Sequence, residues 1–163
     1  MNDEPIRVLL IEDNADDAVL IKRLLSGAMK VPYEIEHAEL LAQGVELLKH
    51  GGFDVVLVDL GLPDGGGLRT FERAHAQAPG VPVIVFTGDD NDEIAVEAVR
   101  MGAQDYLVKG AVNGTLLGRA IRYAIERQKL LTQIEHSAKE IKTLRGFLPI
   151  CAGCKKIRDD KGY

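Results

Sequence analysis

Five residues that could do chemistry stand at the ends of short apolar runs of the sequence: the pair Glu12 and Asp13 after one run, and Asp59, Thr87 and Lys109 each after another. Three of them are carboxylates, one carries a hydroxyl group and one an ammonium group. Carboxylates gathered in one place repel one another strongly at the effective dielectric of a protein surface. Such a group therefore needs raised pKa values or a bound cation.

Oxygen ligands favour Mg²⁺ or Ca²⁺ over zinc or copper, and a small carboxylate site completed by water and a substrate phosphate suits Mg²⁺. A carboxylate nucleophile beside that cation, with a lysine and a hydroxyl group, is the equipment for phosphoryl transfer. Taken singly, Asp13 could cap a helix, Thr87 could be a turn residue and Lys109 could be a surface charge. Coincidence does not explain the whole set, because every member follows an apolar run.

Short apolar runs alternate with longer segments of helical period along the chain. The predicted strands are Ile6–Ile11, Tyr33–His37, Phe53–Val58, Pro82–Phe86 and Gln104–Val108. The predicted helices are Asp16–Ala28, with Val19, Leu20, Leu24 and Leu25 on one face, then Leu40–Leu48, Leu68–His75, Glu93–Met101 and a long helix from Thr115 onward. Five repeats of strand and helix predict an α/β fold, a doubly wound parallel sheet of five strands. Ligands bind such sheets at the carboxyl ends of the strands, where the five residues fall.

Four motifs carry a resemblance to a known family. They are V-L-L-I-E-D-N (8–14), V-L-V-D-L-G-L-P-D-G (56–65), V-I-V-F-T-G (83–88) and G-A-Q-D-Y-L-V-K-G (102–110). In combination they resemble the receiver domains of bacterial two-component response regulators, over roughly residues 5–128. The resemblance implies a flavodoxin-like receiver fold, to which the long last helix adds an extended C-terminal helix. It also implies a signalling domain that accepts a phosphoryl group, with a sensor histidine kinase or phosphotransfer protein as its partner.

The resemblance also implies a role for each site residue. Asp59 is expected to be the phospho-acceptor. Glu12 and Asp13 are expected to form the acidic pair that holds Mg²⁺, with Asp59 and the backbone carbonyl of Gly61 as further ligands. The only catalysis expected is self-phosphorylation and slow self-dephosphorylation, so the domain is not expected to be an enzyme acting on other molecules.

Thr87 and Lys109 are expected to contact the phosphoryl oxygens. Tyr106, three residues before the lysine, is expected to swing inward as Thr87 moves, remodelling the face made by the fourth helix, fifth strand and fifth helix; the alternative is a plain surface aromatic. The family usually has proline after the lysine, in a cis peptide, whereas this chain has Gly110. A cis bond before a non-proline residue costs about 2.5–4 kcal/mol, so the loop is either trans and reshaped or strained.

The last predicted helix has no stop signal near residue 128, because no proline or glycine stands between Arg119 and Arg145. Spacings of four and three form what we call the heptad stripe: Leu116, Ala120, Tyr123, Arg127, Leu130, Ile134, Ser137, Ile141, Leu144 and Leu148. This period is typical of a coiled coil. We expect a parallel homodimer, and a helix folded back on its own domain is the alternative. The expected divisions are a receiver (1–128), a helical extension (129–148) and a cysteine-containing tail (149–163).

The tail contains the pair Cys151 and Cys154. It resembles a segment that follows sensory and receiver domains in some bacterial signalling proteins, where a second cysteine pair lies further on. Zinc needs four ligands and two thiolates supply half, so the pair could be a partial metal site. A redox pair and an inert tail are the alternatives. The sequence looks like the start of an output segment that has been cut short.

Charge is distributed unevenly around the net value of −5. Residues 1–118 have 9 Lys+Arg against 20 Asp+Glu, whereas residues 119–163 have 11 against 5. An acidic body argues against nucleic-acid binding. Without an apolar run long enough to span a bilayer or a secretion signal, we expect no membrane association and a cytoplasmic location. Competing functions are a Mg²⁺-dependent phosphatase, a flavin-binding protein and a non-phosphorylated pseudo-receiver that serves as a dimerisation scaffold.

Overall fold

The computed structural model describes residues 4–146 of the chain, with side chains through residue 143. The strands are β1 (Ile6–Ile11), β2 (Tyr33–Ala38), β3 (Val55–Val58), β4 (Val83–Thr87) and β5 (Asp105–Val108). The helices are α1 (Ala15–Ala28), α2 (Leu41–His50), α3 (Leu68–Gln77), α4 (Asp92–Arg100) and α5 (Gly114–Gly146). All strand pairs are parallel, in the order β2-β1-β3-β4-β5. The predicted doubly wound, five-stranded parallel sheet with an extended last helix is therefore confirmed.

Both faces of the sheet are buried, which explains why β3 and β4 read as unbroken apolar runs. Successive side chains of a strand point to opposite faces. One set, which includes Ile11, Val58 and Val85, packs against α2, α3 and α4. The other set, which includes Leu10 and Leu57, packs against α1 and the first part of α5. Two helical layers therefore hold the sheet and fix the ends of its strands.

The strand order places a crevice at the carboxyl ends of β1 and β3. After β1 the chain turns outward to β2, and it then returns to the other side of β1 to form β3. The helices that follow β1 and β3 lie on opposite faces of the sheet, so their connecting loops separate at this point. Ile11 pairs with Val58, which brings the residues after each strand side by side.

Helix α1 differs from its prediction in its buried face. The residues turned inward are Ala18, Ile21 and Leu25, whereas Val19 and Leu20 are exposed. The expected apolar face was therefore wrong by part of a turn, because α1 meets the sheet through its smaller Ala18 side. The cap of this helix is Asn14, whose side chain accepts from the backbone N–H groups of Asp16 and Asp17. Asp13 is thus not the cap and is left available to the site.

Two units divide the described residues, the first ending at Gln128 and the second beginning at Lys129. In the first unit, α5 buries Leu117, Ile121 and Ala124 against the sheet. Ala120 of the heptad stripe is also part of this core, whereas Tyr123 is exposed. A Cβ at Gly114 would lie 2.5 Å from the backbone carbonyl oxygen of Leu24, so only glycine fits there against α1.

In the second unit, the described residues continue α5, and its large apolar side chains are exposed. These are Leu130, Leu131, Ile134 and Ile141. In the described part of the chain, no helix combines the length and apolar character required to cross a membrane. Leu148 of the heptad stripe and the pair Cys151 and Cys154 lie outside the described residues.

Candidate functional site

Asp59 occupies the centre of the candidate site, immediately after β3. Its backbone N–H donates to the carbonyl oxygen of Ile11 (3.0 Å), which extends the pairing of β1 and β3 by one residue. The residue is buried, and its Oδ1 accepts from the backbone N–H of Gly61 (3.0 Å). The loop after β3 therefore holds one oxygen of the carboxylate and leaves the other free to meet the remaining site groups.

Glu12 and Asp13 complete an acidic group with Asp59. One carboxylate oxygen from each of these residues lies within 4.8 Å of the others. Glu12 is fully buried, whereas Asp13 is exposed. Burial raises the pKa of Glu12 despite the nearby ammonium of Lys109 and a hydrogen bond from the backbone N–H of Asn14. Three carboxylates this close, which offer only oxygen ligands, fit a hard divalent cation such as Mg²⁺.

Lys109 follows β5 and inserts its ammonium among three carboxylates. The Nζ atom lies 2.7 Å from Glu12 Oε2, 2.8 Å from Asp17 Oδ2 and 2.7 Å from Asp59 Oδ2. The contacts with Asp17 and Asp59 are hydrogen bonds, whereas the Glu12 contact lacks hydrogen-bond geometry and is an ion pair. Burial lowers the pKa of Lys109, but these partners outweigh burial and raise the pKa above its ordinary value. Lys109 is therefore a fixed cation.

Thr87 ends β4 and is buried beside the central strand β3. Its Oγ1 accepts from the backbone N–H of Asp89 at 3.3 Å. Its carbonyl oxygen accepts from the backbone N–H of Lys109 at 2.8 Å, which ties the ends of β4 and β5 together. The hydroxyl thus lies at the same edge of the sheet as the carboxylates and the ammonium.

Tyr106 lies in β5 opposite Val85 and is partly buried against the core. Its hydroxyl donates to the backbone carbonyl oxygen of Asp89 at 2.7 Å. Burial and the charge of Asp89 raise the pKa of Tyr106, so the hydroxyl keeps its proton. Tyr106 is therefore tied to the same loop as Thr87.

Gly110, the first residue of the loop after Lys109, lies in open space. A Cβ at Gly110 would meet nothing within 4 Å. Within residues 4–146 there is no cis peptide bond, so the trans alternative is the one found. Lys109 reaches Asp59 in this loop although the family's usual proline is missing.

The sequence reasoning missed two carboxylates that matter for the site. Asp17 contacts Lys109 from the first turn of α1, and no local pattern of the sequence indicates this contact. Asp64 accepts from the backbone N–H groups of Leu41 (2.8 Å) and Ala42 (2.9 Å) and so caps α2 from the loop after β3. The N-cap residue of α2, Leu40, makes no side-chain cap of its own, and this was the only hint in the sequence.

Solved structures similar to this chain include receiver domains. A response regulator receiver domain protein from Clostridium thermocellum superposes with a TM-score of 0.68 and 30% sequence identity, covering 77% of this chain and 98% of that chain. A receiver domain protein from Methanospirillum hungatei gives a TM-score of 0.67 and 28% identity, with the same coverage.

Curated relatives agree with the structures. The swarming motility regulation protein RssB of Serratia marcescens is 33% identical over 114 residues, which is 70% of this chain and 51% of RssB. The acid tolerance regulatory protein ActR of Rhizobium meliloti is 35% identical over 123 residues, which is 76% of this chain and 62% of ActR. This chain thus spans about half to three-fifths of these two relatives. Residues 8–121 match the response regulator receiver domain family, and the chain belongs to that family.

Proposed function

We propose that this domain accepts a phosphoryl group on Asp59 in a Mg²⁺-dependent reaction. The observation that supports it best is the convergence of the Lys109 ammonium and the acidic group of Glu12 and Asp13 on one buried carboxylate. Receiver domains are signalling domains of two-component systems, and their partners are histidine kinases or phosphotransfer proteins. We therefore assign the donor as a phosphohistidine of a sensor kinase or phosphotransfer protein.

The transfer converts one bond into another at phosphorus. An oxygen of Asp59 forms the new P–O bond while the P–N bond of the donor phosphohistidine breaks. The electron pair of the broken bond stays on the imidazole nitrogen, which takes up a proton from water. Lys109 and the Thr87 hydroxyl neutralise charge on the transferred phosphoryl oxygens. Slow self-dephosphorylation is the attack of water on that phosphorus, which returns Asp59 and releases inorganic phosphate.

Glu12, Asp13, Asp59 and the backbone carbonyl of Gly61 are the residues that would hold Mg²⁺. When bound, the cation supplies positive charge to the phosphoryl oxygens and offsets the repulsion between the carboxylates. Asp13 is exposed, so it lies on the side of the site that faces solvent.

The signal leaves the site through the loop after β4. Thr87 and Tyr106 both contact Asp89 of this loop. Movement of Thr87 toward the phosphoryl group would break the contact of its hydroxyl with Asp89 and release the Tyr106 hydroxyl, so that the ring turns inward. The face formed by α4, β5 and α5 then changes shape. Tyr106 is the switch residue in this proposal.

The output of the domain passes to the C-terminal helix, which we propose forms a parallel coiled coil with a second copy. The exposed side chains of Leu130, Ile134 and Ile141 support this because they share one helical stripe. In this proposal residues 1–128 are the receiver, residues 129–148 the coiled-coil extension and residues 149–163 a cysteine-containing tail. The location is the cytoplasm, where a kinase donor would be met. Cys151 and Cys154 are proposed as half of a zinc site.

The test is phosphorylation with acetyl phosphate and Mg²⁺, followed by the intact mass of the chain. We expect the mass to rise by one phosphoryl group, and we expect Asp59→Asn to abolish this gain. Asp54→Asn is the matched control, since Asp54 precedes β3 at the far end of the sheet and contacts the backbone N–H of Arg7. Labelling that survives in Asp59→Asn, or that never occurs in the unaltered chain, would overturn the proposal.

A further inference from the structure

Asp17 is a carboxylate of the site that has no place in the proposed metal group. Its Oδ2 accepts a hydrogen bond from Lys109 Nζ at 2.8 Å, and its side chain is 31% exposed. The group of oxygens that could hold a cation consists of Glu12, Asp13 and Asp59, without Asp17. Asp17 therefore contacts the lysine and not the cation position.

Lys109 needs a partner outside the metal group because its other two partners, Glu12 and Asp59, would also bind the cation or the phosphoryl group. The ammonium has three N–H donors on a flexible four-carbon stem. A cation would engage oxygens of Glu12 and Asp59, and a phosphoryl group would be bonded to Asp59. The Asp17 carboxylate remains free to hold the ammonium in each of these situations.

The backbone around Asp17 is fixed in a position from which the carboxylate can hold the Lys109 ammonium. The Asn14 side chain accepts from the Asp17 N–H at 3.2 Å, which fixes the first turn of α1 beside the end of β1. The buried face of α1, which includes Ala18 and Ile21, anchors this turn to the sheet. The carboxylate thus projects from a rigid element toward Lys109, which is itself only 13% exposed.

We propose that Asp17 is a positioning residue for phosphoryl transfer, which holds the Lys109 ammonium beside Asp59. This inference rests on the proposed function, because it concerns the rate of that reaction. Without Asp17 the stem of Lys109 gains freedom, and the ammonium meets the transferred oxygens less often in the productive position. Asp17 also adds negative charge near an anionic phosphoryl donor. Removal of the Asp17 carboxylate therefore makes the approach of the donor easier, although the removal slows the transfer itself.

The test measures the rate of Asp59 labelling at increasing concentrations of acetyl phosphate with Mg²⁺. For Asp17→Asn we expect the rate at saturating donor to fall about tenfold, with no rise in the donor concentration needed for half the maximal rate. Asp16→Asn is the matched control. Asp16 lies in the same first turn of α1 as Asp17 and has the same charge, but of these two residues Lys109 contacts Asp17. Asp17→Glu keeps a carboxylate on a longer side chain and is expected to restore part of the rate.

A double-mutant cycle separates positioning from a purely structural effect. If Asp17 acts through Lys109, Asp17→Asn has no further effect on the rate in a Lys109→Ala background. Equal rates for Asp16→Asn and Asp17→Asn, or additive losses in the cycle, would overturn the inference. A chain that is not labelled at all refutes the proposed function instead, so the two failures are distinguishable.

Discussion

At the scale of single residues, burial distinguishes the site from the rest of the charged surface. Lys109 and Lys49 each lie 2.7 Å from a glutamate oxygen, of Glu12 and Glu46 respectively. The Lys49 side chain is 51% exposed, whereas that of Lys109 is 13% exposed. An exposed ion pair contributes little to stability, whereas a buried carboxylate that loses its ammonium partner lowers the free energy of unfolding by several kcal/mol. The same distance therefore has different consequences at the two places.

We expect Lys109→Ala to lower the free energy of unfolding by about 3 kcal/mol in the absence of divalent cations, because Glu12 and Asp59 would lose their ammonium partner. We expect Lys49→Ala to change it by at most about 1 kcal/mol. Urea unfolding in EDTA at neutral pH measures both. We also expect Mg²⁺ to restore more stability to Lys109→Ala than to the unaltered chain. Equal losses for the two variants would contradict the role assigned to burial.

At the residue scale the sequence predicted the members of the site but not all their contacts. These residues could be found because each lies at the carboxyl end of a strand of a parallel sheet or just after it: Glu12, Asp13, Asp59, Thr87 and Lys109. Asp17 could not be found in this way, since it lies within a helix and its contact with Lys109 joins residues 92 positions apart. Contacts of this kind depend on the three-dimensional placement of α1 and not on a local pattern.

At the scale of elements, the loop after β3 does more than present Asp59. It also supplies the cap of α2, through the two carboxylate oxygens of Asp64. Partial burial raises the pKa of Asp64, but the hydrogen bonds from Ala42 and Leu41 outweigh it and lower the pKa below its ordinary value of 3.8. The folded state thus prefers the charged form, which links the stability of α2 to the loop after β3.

We expect Asp64→Ala to destabilise the domain by about 1 kcal/mol at neutral pH, which is typical for the loss of a helix cap. Because the folded pKa is lowered, this contribution is present above pH 3.8 and is lost as the pH falls through the folded pKa. The difference between Asp64→Ala and the unaltered chain should therefore shrink as the pH drops below that value. Asp64→Asn, which keeps one acceptor oxygen, should lose less. Urea unfolding along a pH series measures this, and a gap that widens toward acid pH would argue against the cap.

Most elements could be predicted because their patterns are strong. The bounds of β1 were predicted as found, and the other strands differ from their predictions by one or two residues at one end or, for β4, by one residue at both ends. The prediction of the buried face of α1 was wrong. Val19 and Leu20 are apolar yet exposed, while the smaller Ala18 is buried. A pattern of apolar residues does not show which of two adjacent stripes the sheet will contact.

At the scale of the whole molecule, α5 has apolar surfaces of two kinds. Leu117 and Ile121 are buried in the receiver core, whereas Leu130, Ile134 and Ile141 in the second unit are exposed. Ala120 belongs to the core, so the heptad stripe cannot be exposed along its entire predicted length. A second copy of the chain is the partner we propose for its exposed part.

We expect the chain to sediment as a dimer at tens of micromolar and Ile134→Glu to convert it to a monomer. Ile134 is 65% exposed, so the substitution does not disturb a folded core. Leu20→Glu is the matched control, since Leu20 is an exposed apolar residue (41%) on α1 of the receiver. This control should remain a dimer. Analytical ultracentrifugation of the three proteins decides the question, and a monomeric unaltered chain would remove the dimer proposal.

The most direct test of the whole account is to locate the phosphoryl group after reaction with acetyl phosphate and Mg²⁺. Borohydride reduction converts an aspartyl phosphate to homoserine, and peptide mass spectrometry then identifies the modified residue. We expect conversion at Asp59, and no conversion when Mg²⁺ is removed by EDTA. Conversion at another carboxylate such as Asp13, or equal conversion without the cation, would contradict it.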